Sequence, residues 1–311
     1  MDTALLLILW RRPSETKKLI KAIKKIKPNN LYIACDGPIK KDFQCSQNVK
    51  EVKRLIETEI NWDCSIKKRY SLENKGCKIG CTDAISWFFS HEEEGIILED
   101  DCIPNNEFFI FCSELLEKYR FDNRIWQISG NGYQQGIIRG EASYFFSKYP
   151  QMWGWATWRR CWEKYDKDMK DWENNDIKKN LKKSFDSIKI WLYWKIIWDD
   201  IFYHGSPDTW DYQWVFTCML NSGLIILPNK DLVKNIGFGP LASHNKNSKN
   251  STLFKDYQNN IFPIKHPKYI YRFIEADLYL ENTIQVKSPV RFYLKLILRF
   301  LKRKGARFFH Y

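Results

Sequence analysis

The sequence predicts an α/β protein built on a mostly parallel, doubly wound sheet. Over the first 130 residues, short apolar runs alternate with amphipathic segments of helical period, and the apolar runs are continuous rather than alternating with polar residues. Continuous apolar strands are expected where helices cover both faces of a parallel sheet. With 311 residues and 44% hydrophobic composition, the chain can form one large domain with appendages or two modest domains.

The first elements follow from apolar spacing and from turn residues. Residues 5–9 are an uninterrupted apolar run, which predicts a buried strand. Pro13 suits the first turn of the next helix, whose apolar side recurs through residues 19–26 among lysines. A second strand at residues 31–35 ends at the turn Asp36-Gly37-Pro38.

The same criteria place the later elements. Helices are predicted at residues 49–60, 80–89 and 106–119, and strands at 65–70, 95–98 and 125–129. The second half carries ten tryptophans between Trp153 and Trp214. There we predict helices at residues 155–165, 177–203 and 207–220, a strand at 224–228, and a loop over 237–265.

Composition narrows the class of protein. The formal net charge of +13 favours anionic partners such as phosphorylated ligands or anionic lipid, although many lysines are expected to be simply solvated. Nine irregularly spaced cysteines without a C-x-x-C pair favour a reducing cytoplasm over a disulfide framework. No apolar stretch is long enough to span a bilayer, and the N-terminal run is interpreted as a strand rather than a signal peptide.

Three acidic residues, Glu99-Asp100-Asp101, directly follow the predicted strand at residues 95–98. Ligands of open α/β sheets bind at the carboxyl ends of the strands. Adjacent carboxylates repel one another unless a cation or hydrogen bonds compensate, and Mg²⁺ or Mn²⁺ in nucleotide sites takes such oxygen ligands together with phosphates. The triplet therefore predicts a metal–diphosphate site, with a solvated acidic loop as the alternative.

The residues around the triplet resemble the GT-A glycosyltransferases, which use nucleotide-diphosphate-sugars. The Glu-Asp-Asp form is similar to that of N-acetylglucosaminyltransferase I, and further segments resemble bacterial haemolysin-like sugar transferases. The matching segments are residues 97–104 with 108–109, 152–162, 210–214, 235–239 and 243–244. The resemblance covers about residues 4–245 and implies a GT-A fold and a metal-dependent, inverting sugar transfer.

That resemblance implies roles at the donor site. Asp101 would bind Mn²⁺ or Mg²⁺, Asp100 would contact the ribose or assist the metal, and Glu99 would help to hold the sugar or the nucleotide. Asp36 matches a position that contacts the base. Four cations would contact nucleotide or phosphate unless they are plain surface charges: Arg11, Arg12, Lys75 and Lys78.

An inverting transfer also needs a general base. Asp211 is the first candidate and Asp208 the second, because Pro207 predicts a helix start and similar enzymes carry the catalytic carboxylate in that first turn. Both aspartates alternatively serve as helix caps. His244 would complete the metal shell, or else is a solvated loop histidine.

The acceptor is expected to be a glycan or a lipid-linked sugar. Indole faces suit sugar rings, so Trp153, Trp155 and Trp210 are candidate wall residues, although most tryptophans here are expected in the core. Residues 246–311 are predicted to be an extension of the 1–245 domain, itself divided near residue 130. The extension ends in a basic amphipathic helix from Pro289 that suits an anionic membrane surface at the cytoplasmic face.

Three alternatives to a glycosyltransferase differ from it in the sequence features that they require. A nucleotidyltransferase that makes nucleotide-sugars usually has a glycine-rich loop after the first strand, whereas residues 9–14 contain no glycine. A nucleic-acid-binding protein would interleave basic and aromatic residues on a recognisable module, and no such module is present in the sequence. A binding-only relative of the transferases stays open, although the intact acidic triplet argues against it.

Overall fold

The structure is a computed structural model that describes residues 1–237 and 261–285. The strands in this part of the chain are β1 Leu5–Leu9, β2 Asn30–Cys35, β3 Ser65–Tyr70, β4 Glu94–Glu99, β5 Cys102–Pro104, β6 Ile125–Ser129, β7 Tyr144–Ser147, β8 Trp155–Trp158, β9 Leu224–Pro228 and β10 Val233–Asn235. The helices are α1 Pro13–Ile23, α2 Phe43–Glu59, α3 Gly76–Phe89, α4 Asn106–Tyr119, α5 Arg159–Trp162, α6 Asn175–Lys183, α7 Ile188–His204, α8 Asp211–Leu220 and α9 Ile274–Leu280.

Eight of these strands form one sheet in the order β3-β2-β1-β4-β8-β6-β9-β7. The first four strands are parallel, as are β6 and β9, whereas β8 pairs antiparallel with both β4 and β6 and β7 pairs antiparallel with β9. The predicted mostly parallel α/β architecture is confirmed. Because β1 to β4 run in one direction, their carboxyl ends meet at one edge of the sheet.

The first half has the predicted strands and helices in the predicted order, with the short strand β5 in addition. The side chains of Leu5, Leu6 and Leu7 are fully buried, and α1 begins with Pro13 in its first turn and buries Leu19, Ile20 and Ile23. Helices α2 and α3 start several residues earlier than predicted. In α2, Asp42 accepts a hydrogen bond from the Cys45 amide at 2.8 Å and so caps the added turn.

The second half corrects three predictions. Residues 155–165 are not one helix, because Trp155–Trp158 form strand β8 and only the short α5 follows. Residues 177–203 are two helices, α6 and α7, separated by a turn. The helix predicted from Pro207 begins at Asp211 instead. Local periodicity does not distinguish a buried strand from a buried helix, so the pairing of β8 between β4 and β6 decides the first case.

The tryptophans of the second half form most of its core. Nine of the ten between Trp153 and Trp214 are buried, and Trp153 alone is intermediate. The rings of Trp155, Trp162 and Trp214 pack on one another with centroids 5.3–6.3 Å apart. Such large aromatic contacts hold α5 and α8 against strand β8.

Residues 261–285 return to the sheet beside β7. The amide of Phe273 donates to the carbonyl of Phe146 at 2.7 Å, and α9 buries Ala276 and Leu280. Asp277 is fully buried and accepts hydrogen bonds from the Ser147 hydroxyl and from Arg272 Nε, each at 2.5 Å. His244 and the predicted basic helix lie outside the described residues, and in the described ranges no helix is long and apolar enough to cross a membrane.

Candidate functional site

A cavity of about 370 Å³ opens at the carboxyl ends of β1 to β4. Its wall includes Arg11 and Arg12 after β1, Asp36 after β2, and Glu99 with Asp100 at the end of β4. Small-molecule sites of proteins are typically about 300–1,000 Å³, and in this fold class they lie at this sheet edge. The structure therefore brings together in one cavity several residues that were predicted for the donor site and are far apart in the sequence.

The acidic triplet stands where β4 ends. Glu99 pairs with Ile8 of β1 as the last residue of the strand, and the Asp100 amide donates to the Ile8 carbonyl at 3.1 Å. Asp100 is 3% exposed, whereas Glu99 and Asp101 are partly exposed. The Asp101 carbonyl accepts from the Ile236 amide at 2.8 Å, which ties the triplet to the end of β10.

Arg12 bridges two of the three carboxylates. Its Nη2 atom lies 2.8 Å from Asp100 Oδ1 and its Nη1 atom 2.7 Å from Asp101 Oδ2, with only 13% of the arginine side chain exposed. Burial alone would lower the pKa of Arg12, but the charges of Asp100 and Asp101 outweigh it and raise that pKa above its ordinary value. Arg12 is therefore a permanent cation at the acidic strand end.

One arginine does not compensate three acidic groups. Burial, and then the charge of Asp101, raises the pKa of Glu99 well above its usual value. Burial also raises the pKa of Asp100; Arg12 opposes this rise and Asp101 adds to it. Asp100 Oδ2 is buried and has no hydrogen-bond partner in the described part of the chain. Arg12 thus compensates the negative charge of the acidic strand end only in part.

The residues present fit a divalent cation of the Mg²⁺ or Mn²⁺ type. Asp100 and Asp101 both present carboxylate oxygens to one cationic side chain, since each contacts the guanidinium of Arg12. In residues 1–237 and 261–285, no group of three or more His, Cys, Asp or Glu side chains is placed to hold a metal. One or two carboxylates suffice where substrate phosphates supply the other ligands.

Asp36 lines the cavity but is already engaged by the loop that follows β3. Its carboxylate accepts from the Asn74 side chain at 2.7 Å and from the amides of Gly37 and Lys75 at 2.8 and 3.0 Å. Burial raises the pKa of Asp36, and these amide hydrogen bonds oppose the rise. Asp36 thus fixes the shape of the cavity wall.

The other three cations predicted to contact nucleotide or phosphate, Arg11, Lys75 and Lys78, differ in their partners and in whether they line the cavity. The Arg11 guanidinium lies 4.1 Å from the Trp10 ring centroid, and its buried Nε has no partner in the described residues. Lys75 lines the cavity while its ammonium group pairs with Asp83 at 2.6 Å. Lys78 pairs with Asp168 at 3.1 Å and is not part of the cavity wall.

Asp208 caps a helix other than the one that its sequence position suggested. Its carboxylate accepts from the amides of Cys77 and Lys78, at 2.8 and 3.1 Å, in the first turn of α3. These amides have no partner within their own helix, and the helix dipole favours a negative charge there. This contact draws residue 208 away from α8 and joins the segment before α8 to the cavity wall.

We expect Asp208→Ala to lower the free energy of unfolding by about 1 kcal/mol, as is typical when a capping carboxylate is lost. Asp208→Asn keeps an acceptor oxygen and should lose less, and Asp42→Ala removes a comparable cap from α2. Urea unfolding measures all three. If Asp208→Ala loses activity while its free energy of unfolding stays within about 0.5 kcal/mol of the parent's, the capping role is contradicted. Asp208 would then be favoured as the general base.

Asp211 is the first residue of α8 and does not line the cavity, but Trp210, the residue before it, packs near the end of β4. Trp155 opposes Ile97 near the end of β4, and the Trp155 ring stacks on Trp210 with centroids 5.5 Å apart. A hydrogen bond with Cys77 and burial raise the pKa of Cys81 in α3, and the charges of both Glu99 and Asp211 add to that rise. The two carboxylates therefore approach the same buried thiol from different elements.

The Asp211 carboxylate is oriented through one oxygen. Asp211 Oδ1 accepts from the Thr209 hydroxyl and from the Tyr212 amide, the latter at 2.9 Å. Its Oδ2 has no hydrogen-bond partner in the described ranges, and the residue is partly exposed. A carboxylate fixed through one oxygen and open at the other can accept a proton from a ligand.

Two of the three proposed wall tryptophans are core residues. Trp155 is 0% and Trp210 is 2% exposed, and each packs against the other and against neighbouring indoles. Neither ring has a face open to a sugar, so the prediction that they line an acceptor site is wrong for this structure. Trp153 is partly exposed and packs edge-on against Tyr133, with centroids 5.3 Å apart.

Several residues of the site carried no signal in the sequence. Arg69, Ser71 and Asn74 line the cavity from the end of β3 and the loop after it. A position at the end of a parallel strand is the one feature that they share with the predicted residues. Gly237 closes the other side of Asp101, since an added Cβ atom would lie 1.9 Å from Asp101 Oδ2.

Comparison with known proteins gives limited similarity. No family model and no curated protein matches the sequence. Among solved structures, the chain is similar to an apo UDP-glucose pyrophosphorylase, with a TM-score of 0.37, 10% identity, and coverage of 73% of this chain and 90% of that one. For a cytidylyltransferase from Leptospira borgpetersenii, the TM-score is 0.35 and the identity 12%, with coverage of 70% of this chain and 92% of that one. For the apo WbbM bifunctional glycosyltransferase, the TM-score is 0.34 and the identity 10%, with coverage of 73% of this chain and 38% of that one. Similarities of this size carry no argument about activity.

Proposed function

We propose that this protein transfers a sugar from a nucleotide-diphosphate-sugar to a hydroxyl group of a glycan or lipid-linked acceptor. The observation that carries the proposal is the cavity at the carboxyl ends of β1 to β4, where Arg11 and Arg12 meet Glu99 and Asp100, and where Arg12 also contacts Asp101. This wall combines cations suited to phosphate with carboxylates suited to a divalent cation. The resemblance of residues 97–104 to GT-A metal motifs supports the same assignment.

Four residues of the donor site have proposed binding roles. Asp101 and Asp100 would hold Mn²⁺ or Mg²⁺, which when bound neutralises negative charge on the departing diphosphate. Arg11 contributes a buried Nε donor without a partner in the described residues, which suits a phosphate or ribose oxygen. Glu99, partly exposed on the cavity wall, would contact the sugar or the ribose.

Asp211 is the proposed base. The acceptor oxygen attacks the anomeric carbon, the bond from that carbon to the diphosphate oxygen breaks, and the acceptor proton passes to Asp211 Oδ2. The product has inverted configuration and no covalent enzyme intermediate forms. Asp208, held on the amides of α3, is a positioning residue of the cavity wall.

A donor screen tests the proposal. We expect one or a few nucleotide-diphosphate-sugars to bind and to release nucleoside diphosphate in the presence of Mn²⁺ and not in the presence of a chelator. If no donor binds or turns over with metal, the proposed function fails. Release of pyrophosphate from a nucleoside triphosphate with a sugar 1-phosphate would instead identify a nucleotidyltransferase.

Asp101→Asn is expected to weaken metal-dependent donor binding by about tenfold or more, because it removes the charge of a proposed metal ligand. Isothermal titration with the donor found in the screen, with and without Mn²⁺, measures this loss. Asp168→Asn is the matched control, since that aspartate pairs with Lys78 outside the cavity wall. Metal-dependent binding that is equal in Asp101→Asn and the parent would remove Asp101 from the site.

A further inference from the structure

Arg12 occupies the position between Asp100 and Asp101 that a bridging cation needs. The two guanidinium nitrogens take one oxygen from each carboxylate, at 2.8 and 2.7 Å. The remaining oxygens are poorly placed to replace them. Asp101 Oδ1 faces the Cys102 thiol at 3.5 Å, and Asp100 Oδ2 is buried without a partner in the described residues.

Access to Asp101 is restricted on its other side. Gly237 lies so close that an added Cβ atom would be 1.9 Å from Asp101 Oδ2 and 2.8 Å from Arg12 Nη1. A divalent cation binds carboxylate oxygen at about 2.0–2.2 Å in the case of Mg²⁺. A divalent cation that bridges both carboxylates must therefore take the place of the Arg12 guanidinium. A cation bound to Asp101 alone would lie beside that guanidinium, which repels it because both are positively charged.

We infer that Arg12 and the divalent cation are mutually exclusive partners of the Asp100–Asp101 pair, and that Arg12 moves to the donor's diphosphate when the cation binds. This inference rests on the proposed function. Arg12 thereby acts as a built-in counter-ion that compensates the acidic strand end before the substrate arrives. It is a substrate-binding residue that couples metal binding to diphosphate binding.

The local structure permits this exchange. Arg12 is the residue before α1, its side chain caps no helix amide, and Pro13 fixes the first turn behind it. The start of α1 therefore holds the backbone at Arg12, and the exchange requires only the side chain to change direction. Arg12 lines the cavity, so a displaced guanidinium remains within it, and its planar fork matches phosphate oxygens.

The exchange predicts a specific order of affinities. Metal alone should bind weakly, because it must break two charge-assisted contacts of Arg12. Metal with diphosphate should bind much better, because the diphosphate supplies ligands to the metal and a new partner to Arg12. Without the arginine, metal alone should bind more tightly, and the gain from diphosphate should shrink.

Titration with Mn²⁺, followed by the electron paramagnetic resonance signal of the free ion, tests the inference without an activity assay. We expect Arg12→Gln to bind Mn²⁺ alone about tenfold more tightly than the parent, since charge-assisted contacts no longer compete. Inorganic pyrophosphate should then raise Mn²⁺ affinity less in Arg12→Gln than in the parent. Arg54→Gln is the matched control, because Arg54 forms a 2.7 Å ion pair with Glu51 on the exposed surface of α2.

Equal or weaker Mn²⁺ binding by Arg12→Gln overturns the inference, and so does failure of both proteins to bind Mn²⁺. Arg12→Lys keeps one charge without the fork and should fall between the parent and Arg12→Gln, which tests the exchange should the glutamine variant not fold. The two hypotheses fail separately. A parent that turns over a donor with metal, and whose glutamine variant binds Mn²⁺ no better, retains the proposed function and loses only the exchange.

Discussion

Asp211→Asn is expected to slow sugar transfer by about 10²–10⁴-fold, the usual contribution of a general base. Donor and metal binding should stay unchanged, because Arg11, Arg12 and the acidic triplet are intact. The measurement is the rate of nucleoside diphosphate release with the donor found in the screen, beside equilibrium binding of the same donor.

The expected loss follows from the geometry of one carboxylate. Thr209 and the Tyr212 amide hold Oδ1, so the side chain presents Oδ2 for the acceptor proton. An asparagine preserves the Oδ1 contacts and the start of α8, but its amide nitrogen accepts no proton.

Asp176→Asn is the matched control, because Asp176 lies in the first turn of α6 and is 82% exposed. It changes a helix-terminal aspartate without touching the cavity. If the rate of sugar transfer by Asp211→Asn is within about threefold of the control's rate, the loss is far smaller than removal of a general base causes. The general base would then be another residue. Asp208→Asn would then be the next variant to assay.

Asp277→Ala is expected to lower the free energy of unfolding by about 3 kcal/mol, the range for breaking a buried ion pair. Asp277 is fully buried and accepts from the Ser147 hydroxyl and Arg272 Nε. Its removal leaves a buried hydroxyl and part of a guanidinium without their acceptor. Urea unfolding measures the loss, which should leave donor binding unaffected in the folded protein.

Asp186→Ala tests whether the stability loss expected for Asp277→Ala comes from the burial of the ion pair or from its charge alone. Asp186 contacts the same Arg272 at 2.5 Å, but its side chain is 34% exposed. Water compensates for the loss of a partly exposed ion pair, so we expect a change below about 1 kcal/mol. Equal losses in the two variants would mean that residues 261–285 are not anchored to β7 by the buried carboxylate.

The sequence was sufficient for the order of elements in the first half and for the acidic strand end. Continuous apolar runs and lysine-rich amphipathic helices are local patterns, and the residue after a parallel strand is placed at the ligand-binding edge by topology alone. The resemblance implied donor-site roles for Glu99, Asp100, Arg12 and Asp36, which all lie at strand ends, and the cavity includes all four. His244 and the basic C-terminal helix stay predictions, since they fall outside the described residues.

Tertiary structure decided the features that depend on a partner distant in the sequence. Residues 155–158 are a strand because β4 and β6 bond to them from both sides, and this burial removes Trp155 from any acceptor surface. Asp208 caps α3, more than 100 residues earlier, because that helix exposes amides which its own chain leaves unpaired. Arg12 faces Asp100 and Asp101 because β1 and β4 are neighbours in the sheet. Local sequence determines which residues stand at a strand or helix end, and long-range packing determines which charges meet there.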